Sequence, residues 1–189
     1  MIITISGLPG SGTTSVANAL SDLTDYHIIS AGQIFRQKAA ERELSLEEFS
    51  RLVDSDYSID SELDNQLIKC VGSSDCIILE GRLTGHFILS EKIQKPCGFL
   101  RVCLKAPFDV RIARIAKRDN LTKEEAEEFT RIRESNELLR HELNYGVTVE
   151  TTAYDVIFNT EVLSTVQIAD ALHTIYSHFP SDYSRGYFA

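Results

Sequence analysis

Five short runs of apolar, largely β-branched residues recur along the chain, each closed by a polar or glycine-rich break. Ile2-Ile3-Thr4-Ile5-Ser6, Tyr26-His27-Ile28-Ile29-Ser30, Cys76-Ile77-Ile78-Leu79-Glu80, Phe99-Leu100-Arg101-Val102-Cys103-Leu104 and Val156-Ile157-Phe158-Asn159 have the length and make-up of buried strands. Between them the spacing predicts helices. One opens at Ser15-Val16-Ala17 and another at Gln33. A short one follows Ser45, whose S-x-x-E pattern with Glu48 is a capping box. Further helices are expected over about 61–70, from Pro107 through Arg118, over about 122–143, and over about 164–178, where Ile168, Leu172, Ile175 and Phe179 fall on one face. Asp119-Asn120-Leu121 and Tyr145-Gly146 are the breaks around the long charged helix. Strands alternating with helices give one α/β domain over 1–189: a five-stranded parallel sheet with helices on both faces and ligands at the carboxyl ends of the strands. Residues 30–70 form a helical excursion between strands, and the tail 180–189 carries no usable period.

The break after the first strand holds the most specific chemistry. Gly7-Leu8-Pro9-Gly10-Ser11-Gly12-Thr13-Thr14 sits between a strand and a helix, with three glycines that let the backbone close around an anion. Successive N–H groups and the positive end of the following helix then form a cradle for a polyphosphate. Thr14 takes the place of the hydroxyl that holds Mg²⁺, and Thr13 stands where such loops carry a lysine. Either another cation meets the phosphates or the loop binds nucleotide without chemistry.

The formal net charge of −9 disfavours nucleic acid and anionic membranes as partners. Cys70, Cys76, Cys97 and Cys103 form no C-x-x-C pair and the five histidines lack zinc-ligand spacing, so reduced, buried thiols are expected. With no charged leader and no apolar run near 18 residues, the expectation is a cytoplasmic protein, acting as a monomer on small molecules.

The residues just beyond the other strands agree with a phosphate site. The second strand leads into Ser30-Ala31-Gly32 and Arg36, the third into Glu80-Gly81-Arg82, and the fifth into Asn159-Thr160. Glu80 is either a turn acid or the carboxylate of a Mg²⁺ shell. Arg36 and Arg82 are either surface ion pairs or forks for phosphate. Arg111, Arg114 and Arg118 share one helix face at i, i+3 and i+7. Arg133 and Arg140 share another, where Arg133 with Glu137 also makes an ordinary i, i+4 pair.

Together these runs resemble the archaeal-type cytidylate kinases, a family of P-loop nucleoside monophosphate kinases. The likeness rests on the glycine loop, Ser30-Ala31-Gly32-Gln33-Ile34-Phe35-Arg36, Ser45-Leu46-Glu47-Glu48-Phe49, Ile59-Asp60, Leu79-Glu80-Gly81-Arg82-Leu83, Arg114-Ile115-Ala116-Lys117-Arg118, Arg133-Glu134-Ser135 to Arg140, Tyr145-Gly146 and Tyr154-Asp155-Val156-Ile157, and it reaches about His178. That family commonly has threonine in the lysine position. The resemblance implies transfer of the γ-phosphate of ATP to CMP, and to dCMP, with Mg²⁺. It implies ATP on Gly7, Leu8, Pro9, Gly10, Ser11, Gly12, Thr13 and Thr14 with Arg114 near the adenine, and Mg²⁺ on Thr14 and Glu80. It also implies CMP at Ser30, Gly32, Arg36, Gly81 and Arg82, and a lid over about 118–140 whose Arg118, Arg133 and Arg140 supply the missing cation. Asp60 and Asp64, one helical turn apart, are candidate readers of the cytosine amino group or else two solvated acids. The alternatives are a related kinase for AMP, UMP or shikimate, and a non-catalytic nucleotide-binding assembly factor.

Overall fold

The computed structural model describes residues 1–56, 58–72, 76–89, 98–149 and 152–178. Strands β1 (Ile2–Gly7), β2 (His27–Ser30), β3 (Ile77–Gly81), β4 (Phe99–Lys105) and β5 (Val156–Asn159) form one parallel sheet in the order β2-β3-β1-β4-β5. The helices are α1 (Thr13–Thr24), α2 (Ala31–Glu41), α3 (Leu46–Ser55), α4 (Ser58–Gly72), α5 (Thr84–Leu89), α6 (Phe108–Asp119), α7 (Lys123–Tyr145) and α8 (Thr165–Ser177).

The continuous apolar run of β1 follows from its central place, since a parallel strand covered on both faces has no side to leave polar. Its alternate residues go to opposite layers. Ile3 and Ile5, with Ile78, Val102 and Leu104, pack on Val16, Ala17 and Leu20 of α1 and Ile168 and Leu172 of α8. Ile2, with Ile77, Leu79 and Cys103, packs on Leu67, Val71, Leu83 and Phe87. The excursion has a small core of its own, Ala39, Phe49, Val53 and Ile59.

Register aligns the strand ends. Ile5 lies opposite Glu80, Ser30 opposite Glu80, and Ser6 opposite Cys103, so the ends of β1, β2, β3 and β4 open on one edge.

The helix boundaries differ from the expected ones where side chains act as caps. Helix α2 starts at Ala31, directly after β2, because Ser30 accepts the backbone N–H of Gln33 at 3.2 Å. The Ser45–Glu48 capping box forms as expected, and Thr122–Glu125 and Ser164–Gln167 make two more. Asn120 and Gly146, both in the left-handed region, end α6 and α7. Helix α4 is longer than the expected 61–70, and α5 has no counterpart among the expected helices. Of the thiols, Cys103 is buried, Cys70 half-buried and Cys76 exposed, which corrects the expectation of uniform burial. Cys97, Phe179 and the tail 180–189 lie outside the described residues.

Candidate active site

The loop between β1 and α1 folds as its glycines require. Gly10 has φ 79° and its Cα faces the backbone of Arg111, where a Cβ would meet the carbonyl oxygen at 2.6 Å. A Cβ on Gly7 would lie 2.4 Å from Ser11 Oγ and 2.8 Å from the Leu104 carbonyl. Ser11 Oγ is buried and has no hydrogen-bond partner among the described residues. A buried hydroxyl of this kind is costly unless a ligand completes it.

Glu80 gathers the polar groups at the strand ends. Buried at 7% exposure, it accepts Thr13 Oγ1 at 2.7 Å and Thr14 Oγ1 at 3.2 Å on Oε1, and Ser30 Oγ at 2.6 Å on Oε2. Thr13, Thr14, Ser30 and Glu80 are therefore brought together, and Gly81 follows directly. A Cβ on Gly81 would meet Ala31 Cβ at 2.8 Å, so the acidic strand end and the start of α2 approach closely. Behind them Ser6 Oγ bonds Thr84 Oγ1 at 2.9 Å and accepts the Gly85 N–H at 3.1 Å, a brace that no sequence pattern signals.

This donor set fits Mg²⁺ arriving with a nucleotide. That ion asks for one or two carboxylates and otherwise takes phosphate oxygens and water, and Glu80 with the Thr14 hydroxyl meets that need. Among the described residues no group of three or more His, Cys, Asp or Glu converges as a cage of its own.

The α6 arginines hold the loop from outside. Arg111, buried at 5% exposure, donates Nη1 to the Pro9 carbonyl at 3.0 Å and pairs with Glu134 of α7. Arg114 donates to the Gly10 carbonyl at 3.1 Å and to Thr160 at 2.9 Å (Oγ1) and 2.6 Å (carbonyl). Arg114 thus stands between the loop and the end of β5. Arg118, on the exposed last turn, is forked onto its neighbour Asp119 at 2.7 and 2.6 Å.

The remaining cations converge on α7. Arg82 pairs with Glu137, which also accepts Arg133 Nε at 2.9 Å. Burial, and after it the positive charge of Arg133, hold the Arg82 guanidinium well below its ordinary value. Partial desolvation and the charges of Arg118, Arg140 and Arg36 lower the pKa of Arg133, whose side chain is 49% exposed. Gly32 lies under Arg36, whose Nη1 is 3.5 Å from where a Cβ would stand. Cations that crowd one another against solvation favour an anionic ligand. Beside them is a cavity of about 170 Å³ lined by Leu8, Arg82, Glu134, Glu137, Leu138, His141, Thr148 and Val149.

Arg140 is turned to the excursion. It is buried, pairs with Asp54 of α3, and has Nε 3.3 Å from Asp60 of α4. Asp54 also accepts Asn136 Nδ2 at 2.9 Å. Asp60 and Asp64 are not solvated acids: Asp60 accepts Asn144 Nδ2 at 2.8 Å and Asp64 accepts the Tyr145 hydroxyl at 2.9 Å. Burial raises the Asp60 pKa, against the lowering effect of Arg140. The Tyr145 ring lies 5.8 Å from those of His86 and Phe87 and 6.1 Å from that of His141. Sequence spacing gives no sign of Asp54, Asn144 or Tyr145, whose partners are more than 80 residues away, or of Arg111 as a loop ligand.

Comparison with known proteins agrees with this geometry. Curated cytidylate kinases are similar over most of the chain: that of Methanothermobacter thermautotrophicus is 43% identical over 161 residues, 85% of this chain and 95% of its own. That of Methanococcoides burtonii is 39% identical over 173 residues, 91% and 94%. Shikimate kinase from Acinetobacter baumannii superposes with a TM-score of 0.57 at 14% identity, covering 93% of this chain and 92% of its own, and so shares the fold. TT1252 from Thermus thermophilus does so with a TM-score of 0.59 at 18% identity, covering 96% and 98%. No helix among the described residues is long and apolar enough to cross a membrane. With residues 2–162 matching the family model as well, the chain belongs to the cytidylate kinase-like family.

Proposed function

We infer that this protein is an ATP-dependent cytidylate kinase, transferring the γ-phosphate of ATP to CMP and dCMP to give CDP or dCDP and ADP. Glu80 carries this reading, because one buried carboxylate joins the threonines of the phosphate loop to Ser30 at the start of the excursion. The donor loop and the acceptor segment are thereby held at a common point, as in-line transfer between two phosphates demands. The loop N–H groups and the Ser11 hydroxyl cradle the ATP phosphates. Arg36 and Arg82 hold the phosphate of CMP, and Arg118 with Arg133 or Arg140 neutralises charge on the moving group in place of the lysine absent at Thr13. Thr14 and Glu80 hold Mg²⁺, which when bound shields the phosphate charge.

The base is read at the junction of α4 and α7. Cytosine offers an amino donor beside ring acceptors, and Asp60 with Asn144 supplies a carboxylate and an amide 2.8 Å apart. The aromatic group of His86, Phe87 and Tyr145 is suited to lie against the ring.

The test is ADP release from ATP and Mg²⁺ with CMP, dCMP, UMP, AMP and shikimate offered singly. Turnover with CMP or dCMP well above the rest is expected. Turnover confined to another acceptor would keep the phosphate site and discard the base site, and binding of ATP without turnover would favour an assembly factor. Asp60→Asn should lower the preference for CMP over UMP about tenfold or more; an unchanged ratio would remove Asp60 from the site.

A further inference from the structure

Residues Leu8 to Ser11 form a tight turn inside the phosphate loop. Ser11 N–H bonds the Leu8 carbonyl at 3.1 Å, proline is the first central residue, and Gly10, the second, has φ 79°. These are the marks of a type II turn. The peptide between Pro9 and Gly10 has two available orientations, since the related type I turn differs mainly by turning that unit over. In a trans peptide the carbonyl and the N–H point opposite ways. Whichever group grips the Pro9 carbonyl therefore decides where the Gly10 N–H points.

Arg111 grips it. Its Nη1 lies 3.0 Å from the Pro9 oxygen, its side chain is 6% exposed, and its guanidinium is also paired with Glu134 and lies over the Phe108 ring at 5.3 Å. Arg114, one turn on, holds the next carbonyl, that of Gly10. We propose that Arg111 is a positioning residue that locks the Pro9–Gly10 peptide with its N–H turned toward the phosphates, and that Glu134 couples this lock to α7. The proposal rests on the phosphate loop being the ATP site. It gives a loop without lysine a fixed cation directly behind its backbone, joined to the helix that carries the lid arginines.

Arg111 Nη1 meets both the Pro9 carbonyl and Glu134, while Nη2 lies 3.5 Å from the second Glu134 oxygen, so the planar group is aligned on the carboxylate with one nitrogen held at the carbonyl. A lysine at the same place has one ammonium, and the Glu134 carboxylate is its stronger partner. Arg111→Lys keeps charge and stem but should release the Pro9 carbonyl, raising the Kd for ATP with Mg²⁺ about tenfold by calorimetry while the Kd for CMP changes less than about twofold. Adding Glu134→Gln removes the competing charge and returns the ammonium to Pro9. The double variant should then bind ATP within about threefold of the wild type. A purely structural role predicts the reverse, a double variant weaker than the single. ATP affinity in Arg111→Lys within about twofold of wild type, or a double variant no tighter than the single, would overturn the proposal. Should the wild type bind no ATP at all, the assignment of the phosphate loop falls first and this inference with it.

Discussion

Helices α6 and α7 each bring two arginines to the site, and the two pairs differ in whether backbone carbonyls help to hold them. Arg111 and Arg114 reach backbone carbonyls of the phosphate loop and the Thr160 turn, and Arg111 has the Glu134 carboxylate as a second partner. Arg133 and Arg140 reach carboxylates: Glu137 for the first, Asp54 and Asp60 for the second. A carbonyl partner fixes geometry and leaves the positive charge in place. A carboxylate cancels that charge, and a phosphate can compete for the cation only by displacing it. The phosphate-loop end of the site is thus preset, whereas under the proposed function the α7 end exchanges partners when substrates arrive.

The largest effect should come from the preset end. Glu80→Gln keeps the shape but halves the acceptor capacity that Thr13, Thr14 and Ser30 share, and removes the carboxylate available to Mg²⁺. A fall in kcat of about 10³ is expected, with partial recovery at raised Mg²⁺ concentration. A loss below about tenfold would mean that the acceptor and donor segments do not depend on this common point.

Arg118 sharpens the division, because it lies on α6 yet is held like the arginines of α7, by the carboxylate of Asp119. If exchangeable cations do the neutralising, Arg118→Ala should lower kcat about 10²-fold with little change in KM, the signature of an interaction made in the transition state. A fall under about threefold would pass the role to Arg133 and Arg140 alone.

The same contrast governs what can be read from sequence. The sheet, the loop and its threonines are legible because each is local: apolar runs of strand length, glycines at fixed spacing, Glu80 one step beyond a buried run. The caps at Ser45 and Asn120 are equally local. The α7 end is not. Asp54 with Arg140, Asp60 with Asn144 and Asp64 with Tyr145 join positions more than 80 apart, and no periodicity links such pairs. Arg133 and Glu137 are visible as a helical pair, but that Arg82 also meets Glu137 depends on how α7 lies across the end of β3. The face shared by Arg111, Arg114 and Arg118 is apparent; that the first two grip the loop and the third does not follows from the packing of α6 on Gly10.

The smallest effect, and the one that separates the regions without touching catalysis, is the response to acid. His141 lies on α7 beside the 170 Å³ cavity, where burial, then Arg82, Arg140 and His86, bring its pKa down from 6.5 to about 3. The folded protein therefore holds the ring neutral where the unfolded chain protonates it. Between those two values the unfolded state binds more protons, so stability is complete above about pH 6.5 and declines as pH falls toward 3. The contribution cannot exceed about 1.4 kcal/mol per pH unit. Urea unfolding of wild type and His141→Gln at about pH 7 and about pH 5 should show the variant losing less stability on acidification. Equal losses would place the acid sensitivity outside α7. A smaller loss in the variant would locate it at the end of the site whose charges are paired with one another and await exchange, and not at the loop whose arginines already hold it in place.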